Sequence, residues 1–277
     1  MAGDNDNMHG LVCLVTGATD GIGEVTAREL ARLGATMIGV GRTPEKVERV
    51  PQAIKRATGS DSVEFWCYDL SSQAEVRALA DDFRRRYDRL DVLVNNAGAL
   101  FKSRRETVDG LEMTFALNHL AYFLLTNLLL DMLKDSAPAR IVSVASSYQH
   151  RPDFDDLQMQ RGYDGWDAYG RSKYMNILFT VELAHRLQGI SVTANTLNPG
   201  YTATNFHRAA GLNMHGHLTA EQGAETQIYL ATSPEVANVS GQYFDRKRPV
   251  RSAALDDPDG ARRLWDISAE LTGVGKS

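Results

Sequence analysis

A tyrosine and a lysine four positions apart are the residues of this sequence best suited to chemistry. Tyr169 and Lys173 lie in a segment, 169–187, whose apolar residues recur with helical periodicity, so their side chains are expected on one helix face. An ammonium stabilises a neighbouring phenolate and lowers its pKa from the ordinary value of about 10. The pair is therefore suited to general acid–base catalysis, although the same spacing also occurs as an ordinary surface pair.

A serine at the end of a predicted strand offers a second functional group. Residues 141–144 are apolar and β-rich, and Ser146 and Ser147 follow them closely. A hydroxyl at this place can donate to a substrate oxygen on which negative charge develops. No Gly-x-Ser-x-Gly elbow surrounds Ser146, which argues against a hydrolase nucleophile.

A glycine-rich turn joins the first predicted strand, 11–15, to the first predicted helix, 23–33. Its sequence is T-G-A-T-D-G-I-G at residues 16–23. Glycines permit a tight bend and let a diphosphate approach the backbone, and a helix N-terminus adds N–H donors and a positive dipole end. The turn therefore predicts a dinucleotide site, the alternative being a tight turn with incidental glycines.

The elements that must position these groups alternate along the chain. Buried-strand patterns occupy 11–15, 35–40, 63–67, 92–94, 141–144, 190–196 and 241–244, and helical patterns occupy 23–33, 74–87, 113–133 and 169–187. This alternation predicts an α/β fold with a parallel sheet covered on both faces. Because no repeat or linker interrupts it, residues 1–277 are interpreted as a single domain with a polar tail at 1–10. Ligands bind beyond the carboxyl ends of parallel strands, so the loops 147–168 and 205–218 are expected to shape a substrate site.

Charge and composition argue against several other classes of protein. The net charge is −5 without a basic stripe, so no nucleic-acid partner is expected. The N-terminus lacks a signal-peptide pattern and the apolar stretch 120–133 is shorter than a bilayer span, so we predict no membrane span and a cytoplasmic location. Cys13 and Cys67 are interpreted as small core residues. No metal is predicted, because no carboxylate or cysteine completes a ligand set with His207, His215 and His217.

Four motifs in order resemble the short-chain dehydrogenase/reductase family over nearly the whole chain. They are the glycine turn at 16–23, N-N-A-G at 95–98, Y-x-x-x-K at 169–173 and N-P-G at 198–200. The resemblance implies a Rossmann-type, doubly wound parallel sheet of about seven strands with helices on both faces. It also implies hydride transfer between a nicotinamide dinucleotide and a carbonyl/alcohol pair. The segments 69–73 and 262–265 look like the retinol-dehydrogenase-like branch of the family.

The family pattern implies roles for individual residues. It selects Ser146 over Ser147 as the oxyanion-stabilising hydroxyl and Tyr169 as the acid/base, with Lys173 assisting the phenol and contacting the nicotinamide ribose. Asn118 matches a fourth catalytic position, where a distorted helix holds a relay water; the alternative is a buried amide that satisfies nearby backbone groups. The implied cofactor-binding residues are Gly17, Thr19, Asp20, Gly21, Ile22, Gly23, Arg42, Lys46, Asp69, Leu70, Asn96, Ala97, Gly98, Tyr169, Lys173, Pro199, Gly200 and Thr202.

The end of the second predicted strand bears on the choice of dinucleotide. An acid at this place binds the adenosine ribose and repels a 2′-phosphate, but Gly41 and Arg42 stand there instead. The planar fork of an arginine suits phosphate oxygens, and Lys46 can add a second charge. Asp20 weakens the case, because many NADP-binding relatives have a basic residue before the second glycine of the turn. NADP(H) is predicted, with NAD(H) and a merely solvated Arg42 as alternatives.

Three classes of function are weighed. The first is a reductase or dehydrogenase, and the second is a sensor or scaffold that binds the cofactor without turnover. The third, an epimerase or dehydratase, usually has another glycine spacing and a longer substrate domain. Apolar and aromatic residues in the two predicted loops favour a lipophilic substrate, and family habit suggests a homodimer or homotetramer. These loop residues are Tyr148, His150, Phe154, Tyr163, Trp166, Phe206 and Met214.

Overall fold

In the computed structural model, which describes residues 8–205, 211 and 216–275, eight strands form one sheet in the order β3-β2-β1-β4-β5-β6-β7-β8. The strands are β1 Val12–Thr16, β2 Thr36–Gly41, β3 Val63–Cys67, β4 Val92–Asn95, β5 Ala139–Val144, β6 Val192–Asn198, β7 Tyr243–Asp245 and β8 Arg248–Pro249. The first seven are parallel, and β8 runs antiparallel to β7. The order reverses between β1 and β4, so a ligand crevice is expected at their carboxyl ends.

Helices cover both faces of the sheet. They are α1 Gly21–Arg32, α2 Pro44–Thr58, α3 Gln73–Arg86, α4 Met113–Phe115, a π-helix Ala116–Leu120, α5 Ala121–Leu128, α6 Leu130–Asp135, α7 Gly165–Arg186, α8 Ala220–Thr232 and α9 Pro258–Thr272. Alternate residues of β1 enter different cores, because side chains of a strand point to opposite faces. Leu14 packs in the core with α3, α5 and α7, whereas Val15 packs in the core with α1, α2 and α8. The predicted doubly wound α/β fold is confirmed, with a two-residue β8 beyond the seven predicted strands.

Two predictions about the N-terminal half are wrong. Met8, placed in the polar tail, is buried, and its N–H donates to the Leu33 carbonyl at 2.9 Å. An apolar side chain next to β1 is covered because the end of α1 lies over it. Cys67, interpreted as a core residue, is exposed. It is the last residue of an edge strand, so no neighbouring strand lies on one side of it.

The helices around the catalytic motifs also differ from the prediction. Helix α7 begins at Gly165 and so includes the last four residues of the predicted loop 147–168; the Asp164 side chain caps it by accepting from the Asp167 N–H at 2.8 Å. The predicted helix 113–133 is interrupted by the π-helix and by a break at Leu129. Of the predicted loop 205–218, residues Phe206, His207, Met214 and His215 lie outside the described residues.

Candidate active site

The glycine turn forms a backbone cradle at the N-terminus of α1. Gly17 and Gly21 have φ angles of 65° and 54°, a region that favours glycine. A Cβ at Gly23 would lie 2.2 Å from the Gly17 carbonyl oxygen. No side-chain hydrogen bond caps α1, whose residues are all described. The turn therefore fits the diphosphate of a dinucleotide, which needs close backbone approach and N–H donors.

Neighbouring residues lock the cradle in place. Asn96 Nδ2 donates to the carbonyls of Thr16 and Gly17 at 2.8 and 3.3 Å. The Thr16 hydroxyl oxygen accepts from the N–H groups of Asn96 and Ala97 at 2.9 and 3.0 Å. The predicted site residue Asn96 thus uses its amide to join the ends of β1 and β4, which rigidifies the turn.

Two other turn residues pack against different elements. A Cβ at Gly41, the last residue of β2, would lie 2.3 Å from Thr19 Cγ2, so these residues are in close contact. A Cβ at Gly223 of α8 would lie 3.2 Å from Ile22 Cδ1. Thr19 and Ile22 therefore hold the turn between β2 and α8, and an acid at position 41 would displace Thr19.

The two cations predicted to bind a phosphate lie in different surroundings. Lys46 Nζ is 2.5 Å from Asp20 Oδ2, and Asn205 Nδ2 donates to both oxygens of Asp20 at 3.1 and 3.0 Å. Burial opposes ionisation of Asp20, but the hydrogen bonds from Lys46 and Asn205 outweigh it and lower the pKa of Asp20. Arg42 is exposed and forms no ion pair within the described residues. Arg42 is therefore the cation left available for an anionic ligand at the end of β2.

The remaining predicted nucleotide residues lie in turns that follow β3 and β6. Asp69 Oδ1 accepts from the N–H and hydroxyl of Ser71 at 2.9 and 2.8 Å, and Leu70 is buried in the core. After β6, Pro199 is partly exposed, Gly200 has a φ of 78°, and Thr202 is buried. All of these turns lie at the carboxyl edge of the sheet, as the prediction requires.

Two hydroxyls predicted to be catalytic meet at the end of β5. Ser146 hydrogen-bonds to the Tyr169 hydroxyl, and its Oγ also accepts from the Tyr148 N–H at 3.0 Å. Ser147 is exposed and donates its N–H to Asn198 Oδ1 at 3.1 Å. The structure therefore brings Ser146, and not Ser147, to Tyr169.

Lys173 is buried beside Tyr169. Its Nζ lies 5.5 Å from the centre of the Tyr169 ring and donates to the Val144 carbonyl at 3.1 Å. A Cβ at Gly98 would lie 3.5 Å from that Nζ and 3.2 Å from Asn118 Oδ1. Gly98 therefore lets the segment after β4 approach both residues closely.

Burial shifts the pKa values of both Tyr169 and Lys173. It lowers the pKa of Lys173 to about 7. It also raises the pKa of Tyr169 to about 12, although the hydrogen bond from Ser146 acts in the opposite direction. In the polypeptide alone, burial outweighs the expected lowering of the Tyr169 pKa by the ammonium, because it also disfavours the charge on Lys173.

Asn118 lies in the middle of the π-helix, a local distortion that is frequent at functional sites. Its side chain donates to the Ala99 carbonyl at 2.9 Å and to Ser172 Oγ at 3.0 Å, and accepts from the Ala99 N–H at 2.9 Å. Both the nitrogen and the oxygen of the Asn118 amide therefore bind neighbouring protein groups. This agrees with the alternative that the amide satisfies nearby backbone groups. The main-chain carbonyl of Asn118 accepts from Asn176 Nδ2 at 3.0 Å.

Sequence reasoning missed several buried residues that hold these groups. The Tyr243 hydroxyl donates to the Ser146 carbonyl at 2.9 Å, and Ser172 Oγ donates to the Tyr169 carbonyl at 2.7 Å. Asn176 Nδ2 donates to the Asn118 carbonyl at 3.0 Å. The only sequence signal for Ser172 and Asn176 is a polar residue on the buried face of a helix, three positions from Tyr169 and Lys173 respectively.

An aromatic rim adjoins Tyr169. The Tyr148 ring lies 6.5 Å from the ring of Tyr169 and 5.4 Å from that of Trp166. Tyr148 also lies 4.7 Å from His150, whose Nδ1 is 2.9 Å from Asp167. Two other residues predicted for this site have different partners: Phe154 lies under Arg263, and the Tyr163 hydroxyl is 3.0 Å from the Thr114 hydroxyl. His217 contacts Tyr201 edge-on.

Comparisons with known proteins cover nearly the whole chain. A family model described as short chain dehydrogenase matches residues 11–214. Human retinol dehydrogenase 14 is 41% identical over 307 residues, which cover 99% of this chain and 90% of that protein. The matched residues include all four motifs and every proposed catalytic side chain.

Solved structures have the same fold. The crystal structure of an uncharacterized protein from Mycobacterium paratuberculosis is 35% identical, with a TM-score of 0.81 over 98% of this chain and 96% of that one. A short chain dehydrogenase from Escherichia coli CFT073 complexed with NADPH is 28% identical, with a TM-score of 0.73 over 89% of this chain and 100% of that one. No helix within the described part of the chain is long and apolar enough to cross a membrane.

Proposed function

Because the chain belongs to the short-chain dehydrogenase family and is a retinol-dehydrogenase-like oxidoreductase acting on CH–OH groups, we propose that it uses NADP(H) to interconvert a lipophilic ketone or aldehyde and its alcohol. Tyr169 is the proposed general acid in reduction and the general base in oxidation. The observation that carries this proposal is the meeting of Ser146, Tyr169 and Lys173 at the carboxyl edge of the sheet.

The protonation states suit this chemistry. When bound, the nicotinamide supplies the hydride in reduction or accepts it in oxidation. A pKa of about 12 keeps the Tyr169 hydroxyl protonated at neutral pH, so it can donate to the developing alkoxide. The Ser146 hydroxyl orients that oxygen and stabilises its charge. Lys173, with a pKa of about 7, can release and take up a proton near neutral pH. The Asn118 carbonyl would accept a hydrogen bond from the water that exchanges this proton with solvent.

Replacing the phenol tests the proposed acid. We expect Tyr169→Phe to lower kcat by about 10²- to 10⁴-fold, because proton donation by a positioned side chain contributes that much. NADPH affinity should stay within about threefold, since the hydroxyl does not form the cradle. NADPH oxidation with a panel of carbonyl compounds and a separate binding titration measure the two quantities. A variant that keeps most of the wild-type kcat would refute the role of Tyr169. A wild-type chain that binds NADPH and reduces nothing would favour the sensor.

The preference for NADP(H) rests on Arg42. It is exposed at the end of β2 and has no ion-pair partner among the described side chains, whereas Lys46 is paired with Asp20. Arg42→Ala should weaken NADPH binding by about 10- to 100-fold, the usual contribution of a hydrogen bond to a charged group, and leave NADH binding unchanged. Arg246→Ala, which removes another exposed arginine at the turn after β7, is the control. Equal losses for both cofactors would contradict the assignment.

The lipophilic substrate is proposed from the aromatic rim. Tyr148 and Trp166 lie beside Tyr169 and offer an apolar surface to a ligand. The relative at 41% identity is named for retinol, an apolar alcohol. Ratios of kcat/KM for retinoid, steroid and aryl carbonyls against a three-carbon sugar test the proposal. Faster turnover of the sugar would contradict it.

The cellular and oligomeric predictions need separate tests. We propose a cytoplasmic location and a homodimer or homotetramer, as expected from the sequence and its family resemblance. Cell fractionation and light scattering on the purified protein measure these properties, and a membrane-pellet location or a monomer would refute them.

A further inference from the structure

A histidine next to the catalytic asparagine is buried in a polar chain that the proposed mechanism does not use. His119 lies in the π-helix and is 0% exposed. Its Nδ1 is 3.2 Å from Asn176 Oδ1, and its Nε2 is 3.0 Å from Ser268 Oγ of α9. The imidazole stacks on Phe115 with ring centres 5.7 Å apart. His119 therefore links the π-helix to α7 and to α9.

The amide of Asn176 can have only one orientation. Its Nδ2 is 3.0 Å from the Asn118 carbonyl oxygen and 3.2 Å from the Val144 carbonyl oxygen. Both of these atoms accept hydrogen bonds and cannot donate, so the NH₂ group must face them. Oδ1 consequently faces His119 and must accept from it.

This orientation fixes the tautomer of His119. Nδ1 must carry the proton that is donated to Asn176 Oδ1. Burial lowers the pKa of His119 to about 4, so the ring is neutral and Nε2 carries no proton at neutral pH. Nε2 then accepts from the Ser268 hydroxyl. The donors of this hydrogen-bonded series are Ser268, His119 and Asn176. They all point in one direction, from α9 toward the proposed catalytic centre.

The chain ends on the two carbonyls that adjoin the proposed proton relay. One belongs to Asn118 itself. The other, of Val144, also accepts from Lys173 Nζ at 3.1 Å. Asn176, three positions after Lys173 on α7, thus donates to the Asn118 carbonyl and to the Val144 carbonyl. The Val144 carbonyl is the one to which Lys173 also donates.

We propose that Asn176 is a positioning residue of the proton relay, and that His119 and Ser268 hold its amide in the required orientation. The inference rests on the proposed function, because it assigns Asn176 to the relay of Tyr169 and Lys173. Asn176 touches neither substrate nor cofactor in this account. It acts by fixing the Asn118 carbonyl and the position of Lys173.

The first test needs no turnover. Imidazole ¹⁵N shifts of histidine-labelled protein report which ring nitrogen is protonated, and His119→Gln identifies its signals. We expect His119 to be the Nδ1–H tautomer at pH 7, with a proton coupled to Nδ1. An Nε2–H tautomer would reverse the chain and overturn the inference, whether or not the protein reduces carbonyls.

The second test separates positioning from folding. Asn176→Leu removes both donors and should lower kcat about 10- to 100-fold while KM for the carbonyl stays within about threefold, because the lost interaction serves the proton transfer. The apparent pKa in the kcat–pH profile should also shift, because it reports the ionisation of the groups that interact around Lys173. Those groups are Lys173, the two tyrosines whose rings face it, Tyr122 and Tyr169, and Tyr243, which interacts electrostatically with Tyr169.

Thr180→Val is the matched control. Thr180 lies one turn further along α7, is equally buried, and donates only to the Asn176 carbonyl at 2.8 Å. It should lose no more stability than Asn176→Leu and keep kcat within about twofold, since it contacts no relay group. If both variants lose kcat equally and the pH profile is unchanged, Asn176 has a structural role only.

A second pair of variants covers the case in which Asn176→Leu does not fold. His119→Gln keeps an N–H that can donate to Asn176, whereas His119→Phe keeps ring size and stacking but no donor. We expect the glutamine variant to retain several-fold more kcat than the phenylalanine variant. Equal values would overturn the inference. Absence of turnover in the wild-type chain would refute the proposed function instead, and the tautomer test would still stand.

Discussion

Around the glycine turn, at the ends of β1 and β4, the site is made of backbone, whereas around α7 and the π-helix it is made of buried side chains. In the first region Gly17, Gly21 and Gly23 leave the space that a diphosphate needs, and neutral hydrogen bonds from Asn96 fix the turn. In the second region Lys173 and His119 are buried, and burial opposes the charge on both.

The two regions should therefore respond to substitution in opposite ways. A cradle defined by empty space is damaged by any added atom, because a side chain takes the place of the ligand and overlaps the backbone. Burial of an ionisable group lowers the free energy of unfolding. An apolar replacement of similar size can therefore stabilise the fold while it abolishes the proposed acid–base function.

The largest effect is expected in the cradle. In Gly23→Ala the new methyl would lie 2.2 Å from the Gly17 carbonyl oxygen and 2.5 Å from Asn96 Nδ2. Because neither group can move without opening the turn, we expect NADPH affinity to fall by at least about 100-fold and the free energy of unfolding by about 3 kcal/mol, the upper range for overpacking. Fluorescence titration and urea denaturation measure the two quantities. Gly162→Ala is the control, since nothing lies within 4 Å of its Cβ position.

An opposite effect on stability is expected at Lys173. The folded chain lowers the pKa of Lys173 from 10.5 to about 7, so at pH 7 the unfolded chain holds the proton more tightly than the folded chain. Lys173→Met keeps the aliphatic stem and removes this penalty. We expect its free energy of unfolding at pH 7 to rise by about 2 kcal/mol, while carbonyl reduction is lost.

The dependence on pH identifies the cause of that gain. Since the folded pKa is the lower one, the penalty in the wild-type chain diminishes as pH rises from 7 toward 10.5, and the advantage of Lys173→Met should shrink with it. Lys134→Met serves as the control: within the described residues this partly exposed lysine pairs with Asp131 at 3.5 Å, and the change should alter stability by less than about 0.5 kcal/mol. A methionine variant less stable than the wild type would contradict the contrast between the regions.

The same contrast explains what the sequence could and could not predict. The glycine turn and the order of strands follow from local patterns, since an apolar strand, a turn and an amphipathic helix repeat along the chain. Ser146, Tyr169 and Lys173 could be found because motif spacing places them at strand ends and on one helix face. The partners of Asn176 and His119 could not, because each contact joins elements far apart in sequence. Lys46 shows the same limit, as its pairing with Asp20 depends on how α2 meets the glycine turn.

Acid should have a smaller effect on the free energy of unfolding, through a buried histidine of the π-helix. His119 is buried and neutral, with its pKa lowered from 6.5 to about 4 by burial. Below pH 6.5 the unfolded chain binds a proton on His119 that the folded chain does not bind. The contribution of His119 to the free energy of unfolding is therefore complete above pH 6.5 and is lost as pH falls toward 4. Between pH 7.5 and 5 this group alone should cost about 1 to 2 kcal/mol of unfolding free energy.

Comparison with a variant isolates this contribution from the carboxylates that titrate in the same range. His119→Gln keeps a neutral donor toward Asn176 and cannot be protonated, so its loss of stability between pH 7.5 and 5, measured by urea denaturation, should be smaller than that of the wild type by about 1 to 2 kcal/mol. Parallel curves for the two proteins would mean that His119 titrates normally in the fold. The region around α7 and the π-helix would then be more hydrated than the lowered pKa of Lys173 requires. The expected increase in the free energy of unfolding of Lys173→Met would then also be absent.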